Sequence, residues 1–200
     1  MYHNWEELER SIIGCKACKL CQNRTNIVFA DGNKNADVML IGEGPGADED
    51  RIGIPFVGKA GQLMDKAFEG LRIDRSKLYI ANIVKCRPPN NRVPEKEEAE
   101  ACLNYLRNQV ILVRPQIIVL MGSTALKNIL GQEYGITSAR GKWIQKKEIL
   151  YMPTWHPAAL LRDENKKIEF WKDLNLTIIS YGFNNKATFT ISSVSENNII

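Results

Sequence analysis

Four short apolar runs, at residues 37–41, 78–84, 117–121 and 149–153, constrain this chain more than any other feature. The first ends in Gly42-Glu43-Gly44-Pro45-Gly46, too rich in glycine and proline to continue a strand or a helix. Each run reads as a buried strand, and helical patterns lie between them. Leu63, Met64, Ala67, Phe68 and Leu71 share one face of a helix over 61–71, and Ala125, Ile129 and Leu130 share another after the third strand. Further helices are expected over 5–13, 95–113 and 163–181, while the prolines at 88, 89 and 94 make residues 86–94 a loop. Strands alternating with helices imply an α/β fold whose mostly parallel sheet is covered on both faces, a three-layer α/β/α arrangement. In such sheets ligands bind beyond the carboxyl ends of the strands, where residues 42–46, Asn82 and residues 155–160 fall.

At 200 residues the chain suits one domain, expected over 1–182. Residues 183–200, rich in Asn, Ser and Thr, read as a loosely ordered polar tail, with an added edge strand as the alternative. No apolar run reaches the ~18 residues that would suggest a membrane span. The polar, acidic start lacks the pattern of a secretory signal, so a cytoplasmic location is expected. A net charge of +4 permits a polyanionic partner without requiring one.

Five cysteines, at 15, 18, 21, 86 and 102, are an odd number in a chain that shows no export signal, which argues against a disulfide framework. Cys15 and Cys18 are spaced to bite one metal centre, and Cys18 and Cys21 offer the same bite again. Cys86 and Cys102 do not form the second close pair of most zinc modules, although zinc stays open. A close pair with two distant cysteines could hold a cubane cluster whose negative charge Lys16, Lys19, Lys85, Arg87 and Arg92 would offset. Free buried thiols are the remaining alternative.

The glycine loop at 42–46, Asn82 at the end of the second strand, and His156-Pro157-Ala158-Ala159-Leu160 after the fourth resemble the motifs of the family 4 uracil-DNA glycosylases. Cys15, Cys18, Cys86 and Cys102 resemble that family's ligand set for a [4Fe-4S] cluster, which leaves Cys21 a spectator. The likeness runs from about residue 5 to residue 180. It implies a central sheet of four strands and a monomeric hydrolase that flips uracil out of single- or double-stranded DNA. Cutting the N-glycosidic bond would leave an abasic site.

The resemblance also assigns roles. Phe56 would stack on the extruded base, the alternative being a core phenylalanine. Asn82 would accept from uracil N3–H and donate to O4, whereas an ordinary strand-end asparagine bonds to backbone. His156 would sit by O2, where negative charge gathers as the bond breaks. Gly42 and Gly44 would let backbone approach the base, and Glu43 would position water or stabilise the cationic sugar unless it is a solvated loop carboxylate. Glu49 could crowd the uracil C5 position, although an acidic solvated turn over 48–50 is the plainer reading. Lys85, Arg87, Arg92, Arg140 and Lys142 are candidate phosphate contacts. Two other functions compete: a non-catalytic DNA- or partner-binding module of the same fold, and a phosphate cradle, which lacks the G-x-G-x-x-G spacing.

Overall fold

The computed structural model describes residues 2–181, so the tail expected over 183–200 lies outside the described residues. The chain opens with α1 (Trp5–Ile12), capped by the Asn4 side chain accepting from Glu7 N–H, and continues through a 3-10 turn at Lys19–Gln22. There follow β1 (Asp31–Gly32), β2 (Val38–Gly42), α2 (Ala47–Ile52), α3 (Lys59–Leu71), β3 (Tyr79–Asn82), α4 (Lys96–Val113) and β4 (Ile117–Met121). The remainder is α5 (Ser123–Ile129), α6 (Ile136–Ala139), β5 (Ile144–Lys146), β6 (Ile149–Thr154), α7 (Pro157–Leu160) and α8 (Glu164–Tyr181).

The sheet order is β1-β3-β2-β4-β6-β5. The four expected strands form its parallel centre, β3, β2, β4 and β6. Two short antiparallel strands, β1 and β5, extend it at either edge to six. Neither edge strand has an apolar pattern to betray it, because one is Asp-Gly and the other is Ile-Gln-Lys.

Successive residues of the central strands point to opposite faces, and both faces are covered. Met39, Ile41, Ile118 and Leu120 pack with Leu103, Leu106 and Leu126 of α4 and α5. Val38, Leu40, Ile117 and Val119 pack on the other side with Met64, Phe68, Phe170 and Leu174 of α3 and α8. These are the three layers that the alternation of strands and helices implied.

Residues 48–50 are not a solvated turn. They belong to α2, and the buried Asp50 carboxylate accepts from the backbone N–H groups of Thr25 and Asn26. Chain order reverses at β2, which pairs with β3 on one side and β4 on the other. A crevice at the carboxyl end of such a switch point is the usual ligand site of an open parallel sheet. Among the described residues no helix is long and apolar enough to cross a membrane.

Candidate active site and cysteine pocket

A cleft of about 560 Å³ opens at that carboxyl end, lined among others by Glu43, Gly44, Phe56, Asn82 and His156. Gly42 and Asn82 are opposite residues of the β2–β3 ladder, and the pairing runs on past both strands through Ile83 N–H to Gly42 O and Val84 N–H to Glu43 O. Asn82 is thereby held on rigid backbone. Its side-chain Oδ1 is buried and accepts no hydrogen bond. It is therefore not the backbone-bonded asparagine that strand ends usually carry.

His156 follows β6 and caps α7: the Ala158 N–H donates to its Nδ1 at 3.1 Å. Burial pulls the imidazole down to about 4, so the ring is neutral at physiological pH. With Nδ1 accepting, the one ring proton sits on Nε2. That Nε2 is buried without a partner. Among the described residues Asn82 Oδ1 and His156 Nε2 are the buried side-chain polar atoms left unpaired, one acceptor and one donor on the same cleft. Leaving such groups unpaired costs about 1–3 kcal/mol each, which a fold tolerates where a ligand satisfies them.

Phe56 joins the two. Its ring lies 5.8 Å from that of His156 between centroids, and it packs into the apolar core on one side while bordering the cleft on the other. Its backbone is left-handed at φ 55°, a strained state for a bulky residue. Arg75 sustains it by donating to the carbonyls of Pro55 at 2.8 Å and Phe56 at 3.3 Å, while Asp31 and Asp65 hold the guanidinium. Gly61 is also required, since any Cβ there would overlap the Phe56 carbonyl.

The glycines of the loop have separate reasons. A Cβ on Gly42 would stand 2.5 Å from Phe56 Cζ and 2.6 Å from Asn82 Oδ1, so glycine there is what lets these two side chains crowd together. A Cβ on Gly44 would meet Val84 Cγ2 at 2.7 Å, a packing constraint. Glu43 is not freely solvated, because Thr124 at the start of α5 donates a hydrogen bond to its Oε2. Glu49 braces two loops: one oxygen accepts from Val57 N–H at 2.9 Å and Gly58 N–H at 2.7 Å, the other from Gly46 N–H at 3.0 Å. Nothing in the sequence pattern singles out Arg75, Gly61, Thr124 or this role of Glu49.

The candidate phosphate contacts divide. Arg140 is committed to Asp173 and Glu169, and Lys85 is fully buried, so neither faces DNA. Their charge type carried no information about burial. Arg92 forms a two-bond pair with Glu98, at 2.8 Å each, beside the cleft. Arg87 bonds Asn91, and Lys142 is exposed. Lys59 and Arg162, both exposed on the cleft rim, were not anticipated.

Behind β3, all five cysteines line one pocket together with Arg24 and Lys85. Arg24 Nη1 donates to Cys86 Sγ at 3.3 Å, and Lys85 N–H donates to Cys102 Sγ at 3.3 Å. Burial pushes the Cys18 and Cys86 thiols up and the Cys102 thiol up to about 11. Among the described residues no group of three His, Cys, Asp or Glu side chains is drawn in tightly enough to hold a single metal ion. Lys16 and Lys19 are exposed, so the cations that line the pocket are Arg24 and Lys85.

A mostly parallel sheet with a neutral donor, an unpaired acceptor and an aromatic face at its switch point has the groups to hold a planar polar ring. Residues 29–175 match the family model described as the Uracil DNA glycosylase superfamily, and the chain belongs to that family. It is 46% identical over 169 residues to the Type-4 uracil-DNA glycosylase of Sulfurisphaera tokodaii, covering 80% of this chain and 77% of the relative. The Type-4 uracil-DNA glycosylase of Thermotoga maritima is 43% identical over 158 residues, covering 77% and 81%. That of Pyrobaculum aerophilum is 41% identical over 177 residues, covering 84% and 90%.

Proposed function

We propose that this chain is a DNA repair glycosylase that takes uracil out of DNA and hydrolyses its N-glycosidic bond, leaving an abasic site. The observation that carries the reading is the pair of buried, unpartnered atoms on one cleft, Asn82 Oδ1 and His156 Nε2. Uracil satisfies both: its N3–H donates to Asn82 Oδ1, O4 accepts from the same carboxamide, and O2 accepts from His156 Nε2–H. Cytosine has an acceptor at N3 and a donor at C4, so it would leave Asn82 mispaired on both bonds.

Phe56 offers the flipped base a stacking face. As the bond to the sugar breaks, negative charge collects on uracil O2 while the sugar becomes cationic. The Nε2–H bond strengthens at that moment, which places its effect on the transition state. A neutral donor suits the task, because an imidazolium would forfeit the bond from Ala158 N–H and carry an uncompensated charge into a buried site. Glu43, oriented by Thr124, positions the attacking water on the sugar side. Gly42 leaves room for Phe56 and Asn82 to stand together, and Gly44 lets the loop pack close on Val84.

The donor set of the cysteine pocket fits an iron–sulfur centre: thiols from three separate chain segments, two nearby cations, and hydrogen bonds to two of the sulfurs. Cys15, Cys18, Cys86 and Cys102 would hold a [4Fe-4S] cluster, with Cys21 beside it. When bound, such a centre would cross-link the segment after α1 to α4 and to the β3–α4 connection, which begins just after Asn82. The enzyme acts on uracil-containing DNA as a monomer inside the cell, with Lys59 and Arg162 at the rim of the cleft near the phosphates.

Incubation with end-labelled DNA bearing one uracil, followed by alkaline cleavage, should yield a single break at that site. Intact strands, with matched thymine DNA as control, would reduce the chain to a binding module.

A further inference from the structure

We propose that Lys85 is a positioning residue that couples the cysteine pocket to the base-reading side chain of Asn82. This rests on the reading of those cysteines as cluster ligands and of Asn82 as the base reader. Lys85 is fully buried, yet both partners of its ammonium are neutral: the Asn82 carbonyl at 2.9 Å and Gln109 Oε1 at 2.6 Å. Gln109 is itself fixed by donating to Phe29 O at 3.1 Å and to the buried Tyr79 hydroxyl at 3.0 Å. A buried ammonium whose hydrogen-bond partners are all neutral is stabilised by any anion close by.

A cluster held in the cysteine pocket would supply one. Lys85 lines that pocket, its own N–H donates to Cys102 Sγ at 3.3 Å, and the next residue in the chain is Cys86. One residue therefore touches a sulfur with its backbone and the carbonyl of Asn82 with its side chain. Four thiolates on an iron–sulfur centre would carry net negative charge and hold the ammonium in place, and the ammonium holds the β3 end from which Asn82 projects. Coupling of this kind is reciprocal: whatever the centre does for uracil binding, bound uracil must do for the centre.

The test follows iron in the holoenzyme. Anaerobically purified protein is mixed with a colorimetric iron(II) chelator, and iron release is timed with and without free uracil, with thymine as control. Uracil should slow release severalfold in the wild type, a kinetic readout whose size the coupling free energy does not fix. Lys85→Met should cut this protection to the part that general stabilisation by bound ligand supplies, at a uracil concentration that saturates the variant. Equal saturation matters, because general stabilisation by bound ligand is then the same in both proteins. The variant should also bind free uracil about tenfold more weakly, the loss of one charge-assisted bond.

No protection in the wild type, or protection undiminished in Lys85→Met, overturns the coupling. Should Lys85→Met fail to fold, Gln109→Leu takes its place: it loosens the ammonium and should reduce the protection, and full protection would overturn the proposal. Failure of the underlying reading looks different: protein without iron refutes the cluster, and undiminished uracil binding by Asn82→Ala refutes the base reader.

Discussion

Gly42→Ala is the smallest change that should disable base reading without removing any group that performs it. The added methyl would lie 2.5 Å from Phe56 Cζ and 2.6 Å from Asn82 Oδ1, short of ordinary contact by about 0.9 and 0.8 Å. Neither neighbour yields freely. Phe56 is wedged in the core on a backbone pinned by Arg75, and Asn82 stands on a paired strand. Overpacking of this kind costs roughly 1–3 kcal/mol of stability, or about 2–4 °C in Tm per kcal/mol for a chain of this size. The chemical cost is separate. A shift of that size takes Oδ1 out of line with uracil N3–H, and a buried mispaired group is worth about 1–3 kcal/mol. Single-turnover excision should therefore fall about 5–150-fold. Inhibition by free uracil should weaken in parallel, because the bond is already made in the ground state. The assay is excision with enzyme in excess over uracil DNA, alongside a thermal melt. A rate within about twofold of wild type in a variant whose melt shows an intact fold would mean that Gly42 does not set the Phe56–Asn82 geometry.

Other consequences can be checked with the same assays. Asn82→Asp keeps an acceptor for N3–H but sets a negative charge against O4, so uracil excision should drop at least ~100-fold; any gained activity on cytosine should be weak and rise as pH falls, and wild-type rates on uracil would show that Asn82 does not read the base. His156 is held at about 4 by burial, below its unfolded value near 6.5, so the unfolded chain binds more protons between those values. Its contribution to stability should be complete above about pH 6.5 and be lost as pH falls towards 4. Excision should correspondingly show no ionisation near pH 6.5, and an inflection there that disappears in His156→Ala would refute the neutral imidazole. Serine at Cys86 or Cys102 should abolish the broad absorbance near ~400 nm and the bound iron, whereas serine at Cys21 should leave both; iron that depends on Cys21 and not on Cys15 would reassign the ligands.

Much of this molecule follows from short-range pattern. Apolar runs bounded by glycine and proline define the four central strands, and where a strand ends in a parallel sheet is where its ligand side begins, so Asn82 and His156 were legible as crevice residues from position and residue type. The rest depended on which distant segments meet. Thr124 reaches Glu43 only because β4 lies beside β2, and Gln109 reaches Lys85 only because α4 crosses behind β3. Charge type could not separate Lys85, which is buried, and Arg140, which is half-buried and paired with Asp173, from Lys59 and Arg162, which stand at the rim. Phe56 looked equally suited to core and to stacking because it does both, one side in the core and the other on the cleft. The tautomer of His156 was decided by a backbone N–H two residues on, and that bond exists only because Pro157–Leu160 turns as α7. Residue identity sets what a side chain can donate or accept, while burial and the partner supplied by the fold decide which of those capacities is left open for a substrate.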